Sequence, residues 1–253
     1  MSATVGQIYD LLKLIAPLEL AEEWDNPGLL AGRTDAEVDT VLCALDLTPK
    51  VIEEAAKVGA QLIVTHHPIL FRGRKNLRED DAEGRMLCTL IRGNLAMIAM
   101  HTNYDNASPG VNDALAAQLN LTDVVELENG MRLGVTEIMR FSAFGDIVQE
   151  KLGGSVRRYG DPDRLIRRVA VLGGAGEDFT AQAIAAEADC YVTGEMAYHK
   201  GLDAADNGLC VLEAGHAATE RPGILALSAA LQKAADDVQY NVRVLNSEAR
   251  MYL

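Results

Sequence analysis

Short apolar segments recur along the first half of the chain, separated by stretches in which apolar residues have helical spacing. Residues 40–46, 61–65 and 95–100 are each short and almost wholly apolar, which is typical of strands buried on both faces. The alternation of such strands with helices predicts a largely parallel sheet that is covered by helices on both faces.

Capping residues mark the helix boundaries in this half. Thr48 followed by Pro49 favours a helix start, and Gly59 favours the end of the same helix. Further helices are predicted over about 83–92 and after Pro109. Each of the first two helices therefore connects two predicted strands.

The pattern changes at about 122–140, where a turn at Asn129-Gly130 precedes a polar strand. Ser142 is predicted to cap the next helix, which ends at Gly153-Gly154. A second series of strands follows, over 155–160, 167–172, 189–193 and 209–214. This change of pattern predicts a domain boundary near residue 125.

The C-terminal region contains one more predicted helix, at about 222–235, and a strand at 240–246. We expect both to return to the first domain. The predicted fold is therefore α/β, with two three-layer domains that contain largely parallel sheets. The first domain comprises residues 1–125 with 222–253, and the second comprises residues 126–221.

Composition limits the classes of function. The chain has 253 residues, of which 49% are hydrophobic, enough to bury a sizeable core. Lys and Arg total 23 against 37 Asp and Glu, so the formal net charge is −14. Such a surface repels phosphate backbones, and nucleic acid is not an expected partner.

The first residues predict an amphipathic helix and not a signal peptide. Ile8, Leu11, Leu12 and Ile15 have helical spacing, and Asp10 lies among them. No apolar run has the length of a membrane span. The four cysteines lack a CxxC spacing, and three of them lie in apolar strand-like runs, which favours buried, free thiols in a reducing compartment. We therefore expect a cytoplasmic protein with no membrane contact.

All histidines of the chain follow strand-like segments. Ligands of open parallel sheets bind outside the carboxyl ends of the strands, where loops converge. The positions of the histidines therefore predict a functional site at these ends. The five histidines are His66, His67, His101, His199 and His216.

The sequence VTHHP contains His66 and His67 at the end of a predicted strand. Adjacent residues on a regular strand point to opposite faces, but at a strand end before Pro68 the backbone is free to turn. The two imidazoles could then reach two different metal ions. The alternative is one core histidine and one surface histidine.

Two further segments pair a histidine with a carboxylate. His101 and Asp105 are four residues apart across a predicted irregular loop. If a helical turn begins at His216, Glu220 lies one turn later on the same face, and its two oxygens could bridge two ions. Imidazole with carboxylate is the usual ligand mix of Zn²⁺, Mn²⁺ or Fe²⁺. The alternatives are that Asp105 caps the helix behind Pro109 and that Glu220 is a surface residue near a helix start.

Other polar residues near these segments have less specific patterns. Trp24 could line a pocket or pack in the core, and Asp25 lies beside it in a polar loop. Asp46 could orient a ligand histidine or cap the following turn. Glu195 also closes a strand. The glycine-rich segment 173–176 lacks the P-loop lysine and the full dinucleotide pattern, so we interpret it as a turn.

Six segments together resemble the Ngg-one-interacting-factor-three-like family, in its short form. Its members are also described as GTP cyclohydrolase I type 2 homologues and as dinuclear metal-centre hexameric proteins. The matching segments span nearly the whole chain in family order. They are EEWDNPGLL (22–30), LDLTPKVIEEA (45–55), VTHHPILF (64–71), HTNYDNASPGVND (101–113), VTGEMAYHK (192–200) and GHAATERPGI (215–224).

The resemblance implies two divalent metal ions per chain, at the domain interface, and a homohexameric ring. The residues that match the family's ligands are His66, His67, Asp105, His216 and Glu220. We expect a metal-dependent hydrolase that acts on a nucleotide or phosphorylated small molecule, with His101 or His199 as general acid or base. The alternative is a non-catalytic metal carrier, insertion factor or hexameric adaptor.

Overall fold

The computed structural model describes residues 2–249. Its α-helices are α1 (Val5–Ile15), α2 (Pro49–Val58), α3 (Ala82–Arg92), α4 (Thr102–Asp105), α5 (Val111–Gln118), α6 (Phe141–Leu152), α7 (Thr180–Ala185), α8 (Tyr198–Asp206) and α9 (His216–Asp237). Its strands are β1 (Ala3–Thr4), β2 (Gly28–Ala31), β3 (Glu37–Val38), β4 (Thr40–Ala44), β5 (Leu62–Thr65), β6 (Ala96–Ala99), β7 (Thr122–Glu126), β8 (Arg132–Arg140), β9 (Arg157–Tyr159), β10 (Leu165–Leu172), β11 (Cys190–Thr193), β12 (Cys210–Glu213) and β13 (Arg243–Asn246).

The chain divides into two structural units. Unit 1 comprises Met1–Ala107 and Ile224–Leu253, and unit 2 comprises Ser108–Gly223. The first division therefore falls before α5, whereas we expected a boundary near residue 125. The reason is that α5 packs on β8 and β10 of unit 2.

Unit 1 contains a five-stranded sheet in the order β13-β4-β5-β6-β2. The first four strands are parallel, as the alternating pattern predicted, and β2 adds an antiparallel edge to β6. Every residue of β4, β5 and β6 is buried, which confirms that these strands are covered on both faces. One of these faces packs against α2 and α3 through a cluster that includes Leu42, Ile52, Ile63, Leu90 and Met97.

The caps of α2 confirm the sequence prediction. The side chain of Thr48 accepts a hydrogen bond from the N–H of Val51, Pro49 is the first helical residue, and Gly59 ends the helix at φ +68°. This helix returns the chain from the carboxyl end of β4 to the start of β5. Asp46 and His66 consequently both follow the carboxyl ends of adjacent strands.

Unit 2 contains a six-stranded mixed sheet in the order β7-β8-β10-β11-β12-β9. The central strands β10, β11 and β12 are parallel, and the strands at both sides are antiparallel. Helices α5 and α6 cover one face, where Leu115 and Phe144 contact the sheet. Helices α7 and α8 cover the other face, where Ala183 and Ala204 contact the sheet. Unit 2 is thus a three-layer α/β structure.

One edge strand of each sheet, β2 in unit 1 and β7 in unit 2, differs from the predicted pattern. The sequence suggested no strand at β2 or β7, because β2 is short and glycine-containing and every residue of β7 is exposed. Antiparallel edge strands need one apolar face at most, so their hydrophobic signal is weak. The sheet of unit 2 is therefore less parallel than expected.

The predicted start of α6 is wrong by two residues, because the residue that precedes the helix is Arg140 and not Ser142. The helix begins at Phe141, and Ser142 does not cap it. The N–H groups of Phe141 and Ser142 instead donate to the carbonyls of Arg164 and Pro162, at 2.8 and 3.0 Å. Backbone carbonyls from the neighbouring segment thus satisfy these N–H groups, and a side-chain cap is not needed.

The predicted start of the last helix at about residue 222 is also wrong, because α9 begins at His216 and includes Pro222. Proline inside a helix is uncommon because it removes a backbone hydrogen bond, yet this helix continues through Pro222. Among residues 2–249, no helix combines the length and apolar character needed to cross a membrane.

Candidate metal centre

His66 and His67 lie directly after β5, where the strand turns. The N–H groups of both residues donate to Leu45 O, at 3.2 and 3.0 Å, and the Thr65 hydroxyl donates to His67 O at 2.8 Å. These bonds bend the backbone so that the two imidazole rings lie 4.9 Å apart, centroid to centroid. The two rings therefore lie close together after the strand, and their predicted role as ligands of two metal ions stays a prediction.

His101 precedes the single helical turn α4, in place of the irregular loop that we expected. Asp105 N–H donates to His101 O at 3.0 Å, which places Asp105 one turn after the histidine. Asp105 Oδ1 lies 3.5 Å from His66 Nε2. The other role considered for Asp105, capping α5, is filled by Asp113, which accepts from Gly110 N–H at 2.8 Å.

Three imidazoles form one group in unit 1. The ligand nitrogens of His66, His67 and His101 all lie within 4.8 Å of one another. His101 was predicted as an acid or base, and the structure places it beside the tandem histidines. The three imidazoles could hold a metal ion together, so His101 is close enough to be either a ligand or an acid–base residue beside one.

Each imidazole of this group uses Nδ1 for a hydrogen bond to an oxygen. His66 Nδ1 lies 2.8 Å from Met100 O, and His67 Nδ1 lies 2.8 Å from Asp46 Oδ1. Because a carbonyl oxygen only accepts, His66 Nδ1 carries the hydrogen, and its Nε2 is the nitrogen that can bind a metal. Asp46 therefore orients a histidine, which is one of the two roles that its sequence position suggested.

Asp25 holds His101 in the same way. Its carboxylate accepts from His101 Nδ1 at 2.8 Å, from Thr102 N–H at 3.0 Å and from the Thr102 hydroxyl at 2.5 Å. Burial opposes ionisation of Asp25, but the bonds from His101 and Thr102 outweigh it and lower its pKa to about 2. The carboxylate is consequently charged at neutral pH and fixes the orientation of His101.

In unit 2, the first turn of α9 brings a histidine and a carboxylate together. His216 Nε2 lies 3.1 Å from Glu220 Oε1, and the Glu220 side chain is buried. His216 Nδ1 lies 2.8 Å from Glu195 Oε1, so this histidine has the same arrangement as those of unit 1. The predicted His-x₃-Glu pair on one helix face is confirmed.

The glycine-rich segment 173–176 packs against this turn. A methyl group at Gly174 would clash with Glu220 Oε1 and lie 3.3 Å from His216 Nε2. The N–H groups of Gly173 and Gly174 donate to Asn112 and Thr219 side chains at 2.8 and 3.1 Å, so they are used within the protein. The segment is a turn that allows close packing on the helix, and not a phosphate loop.

The imidazole–carboxylate pairs need a proton or a metal ion between their facing atoms. With hydrogen on Nδ1, a neutral imidazole has only a lone pair at Nε2, yet His66 Nε2 faces Asp105 and His216 Nε2 faces Glu220. Two acceptors repel each other unless a proton or a metal ion lies between them. Ligand atoms about 2.1 Å from one ion lie roughly 3 to 3.5 Å apart, so the observed separations fit a divalent ion.

His199 and the buried cysteines are not part of the metal-capable groups of the described residues. His199 lies exposed on α8 with its ring 5.3 Å from that of Tyr198, and the metal-capable groups within residues 2–249 do not include it. Burial raises the pKa of Cys43 to about 12 and that of Cys190 well above its ordinary value, which disfavours thiolate ligands.

Removing Asp46 tests whether the oriented imidazole matters for metal binding. We expect Asp46→Ala to weaken Zn²⁺ binding by about 10- to 100-fold, because such carboxylates fix the ring and raise its basicity. Competition with a chelating dye measures the affinity. The control is Asp10→Ala, which removes an exposed carboxylate paired with Lys13. Equal Zn²⁺ affinity in both variants would contradict this role.

Adding one methyl group tests the packing of the glycine turn on Glu220. Gly174 and Gly154 have similar positive φ angles, +66° and +74°, but a methyl at Gly154 meets nothing within 4 Å. Both alanine variants strain the backbone, and we expect only Gly174→Ala to lower the bound metal as well. Elemental analysis after equilibration with Zn²⁺ measures this, and the same metal content in both variants would refute the packing argument.

Comparison with known proteins identifies the family. A family model described as Duf34/NIF3 (NGG1p interacting factor 3) matches residues 3–251. A Clostridium acetobutylicum protein named GTP cyclohydrolase 1 type 2 homolog is 33% identical over 259 residues, covering 98% of this chain and 97% of the relative. A Streptomyces coelicolor protein of the same name is 34% identical over 255 residues, covering 95% and 90%. The crystal structure of Staphylococcus aureus hypothetical protein SA1388 matches with a TM-score of 0.93 and 27% identity over 100% of both chains. The chain therefore belongs to the Duf34/NIF3 family.

Proposed function

We propose that this protein binds two divalent metal ions and hydrolyses a nucleotide or another phosphorylated small molecule. The observation that supports metal binding most directly is the shared geometry of four histidines, each of which uses Nδ1 for a hydrogen bond to an oxygen. The relatives named GTP cyclohydrolase 1 type 2 homolog make a nucleotide the first substrate class to test.

The proposed ligands come from both units, and their joining in one dinuclear centre is part of the proposal. Asp105 and Glu220 would supply negative charge to offset the two cations, and the two oxygens of Glu220 suit it to bridge them. Two bound ions would make a water molecule acidic enough to supply hydroxide near neutral pH. Zn²⁺, Fe²⁺ and Mn²⁺ all fit this donor set. The five ligands are His66, His67, Asp105, His216 and Glu220.

His101 is the better placed of the two proposed acid–base residues. Asp25 accepts the hydrogen of Nδ1, which aims Nε2 of His101 towards the group that contains His66 and His67. The ionised carboxylate also favours the imidazolium that forms when Nε2 takes a proton. His199 is exposed and contacts Tyr198, so the geometry favours His101.

The proposed location of the protein is based on its sequence, and the proposed assembly is based on the family resemblance. We propose a cytoplasmic protein and a ring of six copies. The alternative is a carrier, which would bind its ions with the same ligands and transfer them to another protein. Measurement of substrate turnover distinguishes a carrier from a hydrolase.

Metal content is the first test of the ligand assignment. Purified protein equilibrated with Zn²⁺ or Mn²⁺ should retain close to two ions per chain after gel filtration. His66→Ala and Glu220→Ala should each lower this number, because each removes a proposed ligand. The control is His199→Ala, which should retain the full content. Unchanged content in the double variant His66→Ala, Glu220→Ala would refute the assignment.

Turnover tests the proposed reaction and the role of His101. A screen of nucleotides and phosphate esters should find hydrolysis that chelation abolishes and added metal restores. We expect His101→Gln to lower kcat by about 10² to 10⁴-fold and to leave the metal content unchanged, as for an acid–base residue.

Two outcomes would revise this proposal. A loss of metal in His101→Gln would make His101 a ligand and not an acid or base. If no substrate is turned over above the metal-free control, and the ions pass readily to an acceptor protein, the protein is a carrier.

A further inference from the structure

Two exposed aromatic side chains lie beside His101. Trp24 and Phe71 are 59% and 45% exposed, and their ring centroids are 5.7 Å apart at an interplanar angle of 57°. Both rings meet the His101 imidazole nearly at right angles, with centroids 6.2 and 6.3 Å away. The chain has one Trp and four Phe, so two of its few large aromatic rings face solvent at one histidine. Core packing does not explain this placement.

The loops that carry these two rings are held in place. Trp24 precedes Asp25, whose carboxylate is buried and accepts three hydrogen bonds from His101 and Thr102. The next residue, Asn26, donates from Nδ2 to Leu70 O at 2.6 Å, directly before Phe71. The pair of rings is therefore tied to His101 and held together before any ligand binds, which lowers the entropic cost of binding.

Positive charge follows Phe71 along the chain. Arg72 and Lys75 are exposed, and within residues 2–249 neither has an ion-pair partner, whereas Arg74 between them pairs with Asp81 and Glu83. In a chain of net charge −14, such cations are available to an anionic group of a ligand. They complement an aromatic ligand that carries a phosphate.

We propose that Trp24 and Phe71 form a stacking site for the planar heteroaromatic ring of a nucleotide, with its phosphate towards the segment that contains Arg72 and Lys75. Aromatic side chains bind nucleobases by stacking, and a ring that stacks on one of a tilted pair contacts the other at an angle. A ring bound there lies beside His101. This inference narrows the substrate of the proposed hydrolase to a nucleotide and assigns the site that binds its base. The link between this site and catalysis rests on the proposed function.

The fluorescence of Trp24 reports on this site directly, because Trp24 is the chain's single tryptophan. The experiment uses the full chain without metal, so it is independent of turnover. We expect GMP and AMP to quench the emission saturably, and ribose 5-phosphate, which has the phosphate but no base, to cause no quenching. Guanosine should bind more weakly than GMP, because it lacks the phosphate.

Variants assign the binding to the aromatic pair. Phe71→Ala should weaken GMP binding about 5- to 100-fold, the range expected for one stacking contact, and Phe71→Tyr should restore it. The matched control is Leu77→Ala, which truncates an exposed apolar residue, 53% exposed, on the same segment between β5 and α3. Calorimetry measures GMP binding to Trp24→Ala, for which we expect a similar loss.

Three results would overturn this inference. The first is the absence of saturable quenching by either nucleotide. The second is equal weakening by Phe71→Ala and Leu77→Ala. The third is emission that changes with protein concentration and not with GMP, which would assign the pair to a contact between copies of this chain. Equal binding of guanosine and GMP would overturn the phosphate assignment alone. Nucleotide binding without metal-dependent turnover would support the stacking site and contradict the proposed hydrolysis.

Discussion

In each unit, the candidate metal-binding histidines depend on one interaction, the hydrogen bond between an imidazole Nδ1 and an oxygen acceptor. It occurs at His66, His67, His101 and His216, with a backbone carbonyl as acceptor once and a carboxylate three times. Each bond favours the tautomer in which Nδ1 carries the hydrogen and Nε2 carries the lone pair that a metal ion needs. Without these bonds the rings would rotate, and a metal ion would have to order them when it binds. The fold therefore holds these imidazole rings in fixed orientations, as the proposed metal binding requires.

Backbone geometry brings these rings into position. Parallel strands place Asp46 and His66 at the carboxyl ends of neighbouring strands, and the turn after β5 directs both tandem histidines to one side. In unit 2, Gly174 has no side chain where Glu220 needs room. Asp25 has two roles, since it orients His101 and anchors the loop that contains Trp24. Hydrogen bonds and ring contacts consequently connect the aromatic pair with the histidine group within unit 1.

The sequence predicted the elements whose signals are local. Apolar runs predicted the strands β4, β5 and β6, and capping residues predicted the ends of α2. Helical spacing predicted that Glu220 lies beside His216. Edge strands such as β7 are exposed and lack a clear hydrophobic pattern. The start of α6 was wrong because carbonyls from residues 162 and 164 satisfy its first N–H groups. The partnership of Asp25 with His101 joins residues 76 positions apart, and no local pattern contains that information.

X-ray absorption spectroscopy of the zinc-loaded protein tests metal binding by these imidazoles, because it detects the ligand atoms whatever the assembly state. We expect a first shell of nitrogen and oxygen at about 2.0–2.2 Å, with the outer-shell scattering that imidazole rings produce. Sulfur at about 2.3 Å, or a shell of oxygen without imidazole scattering, would contradict it.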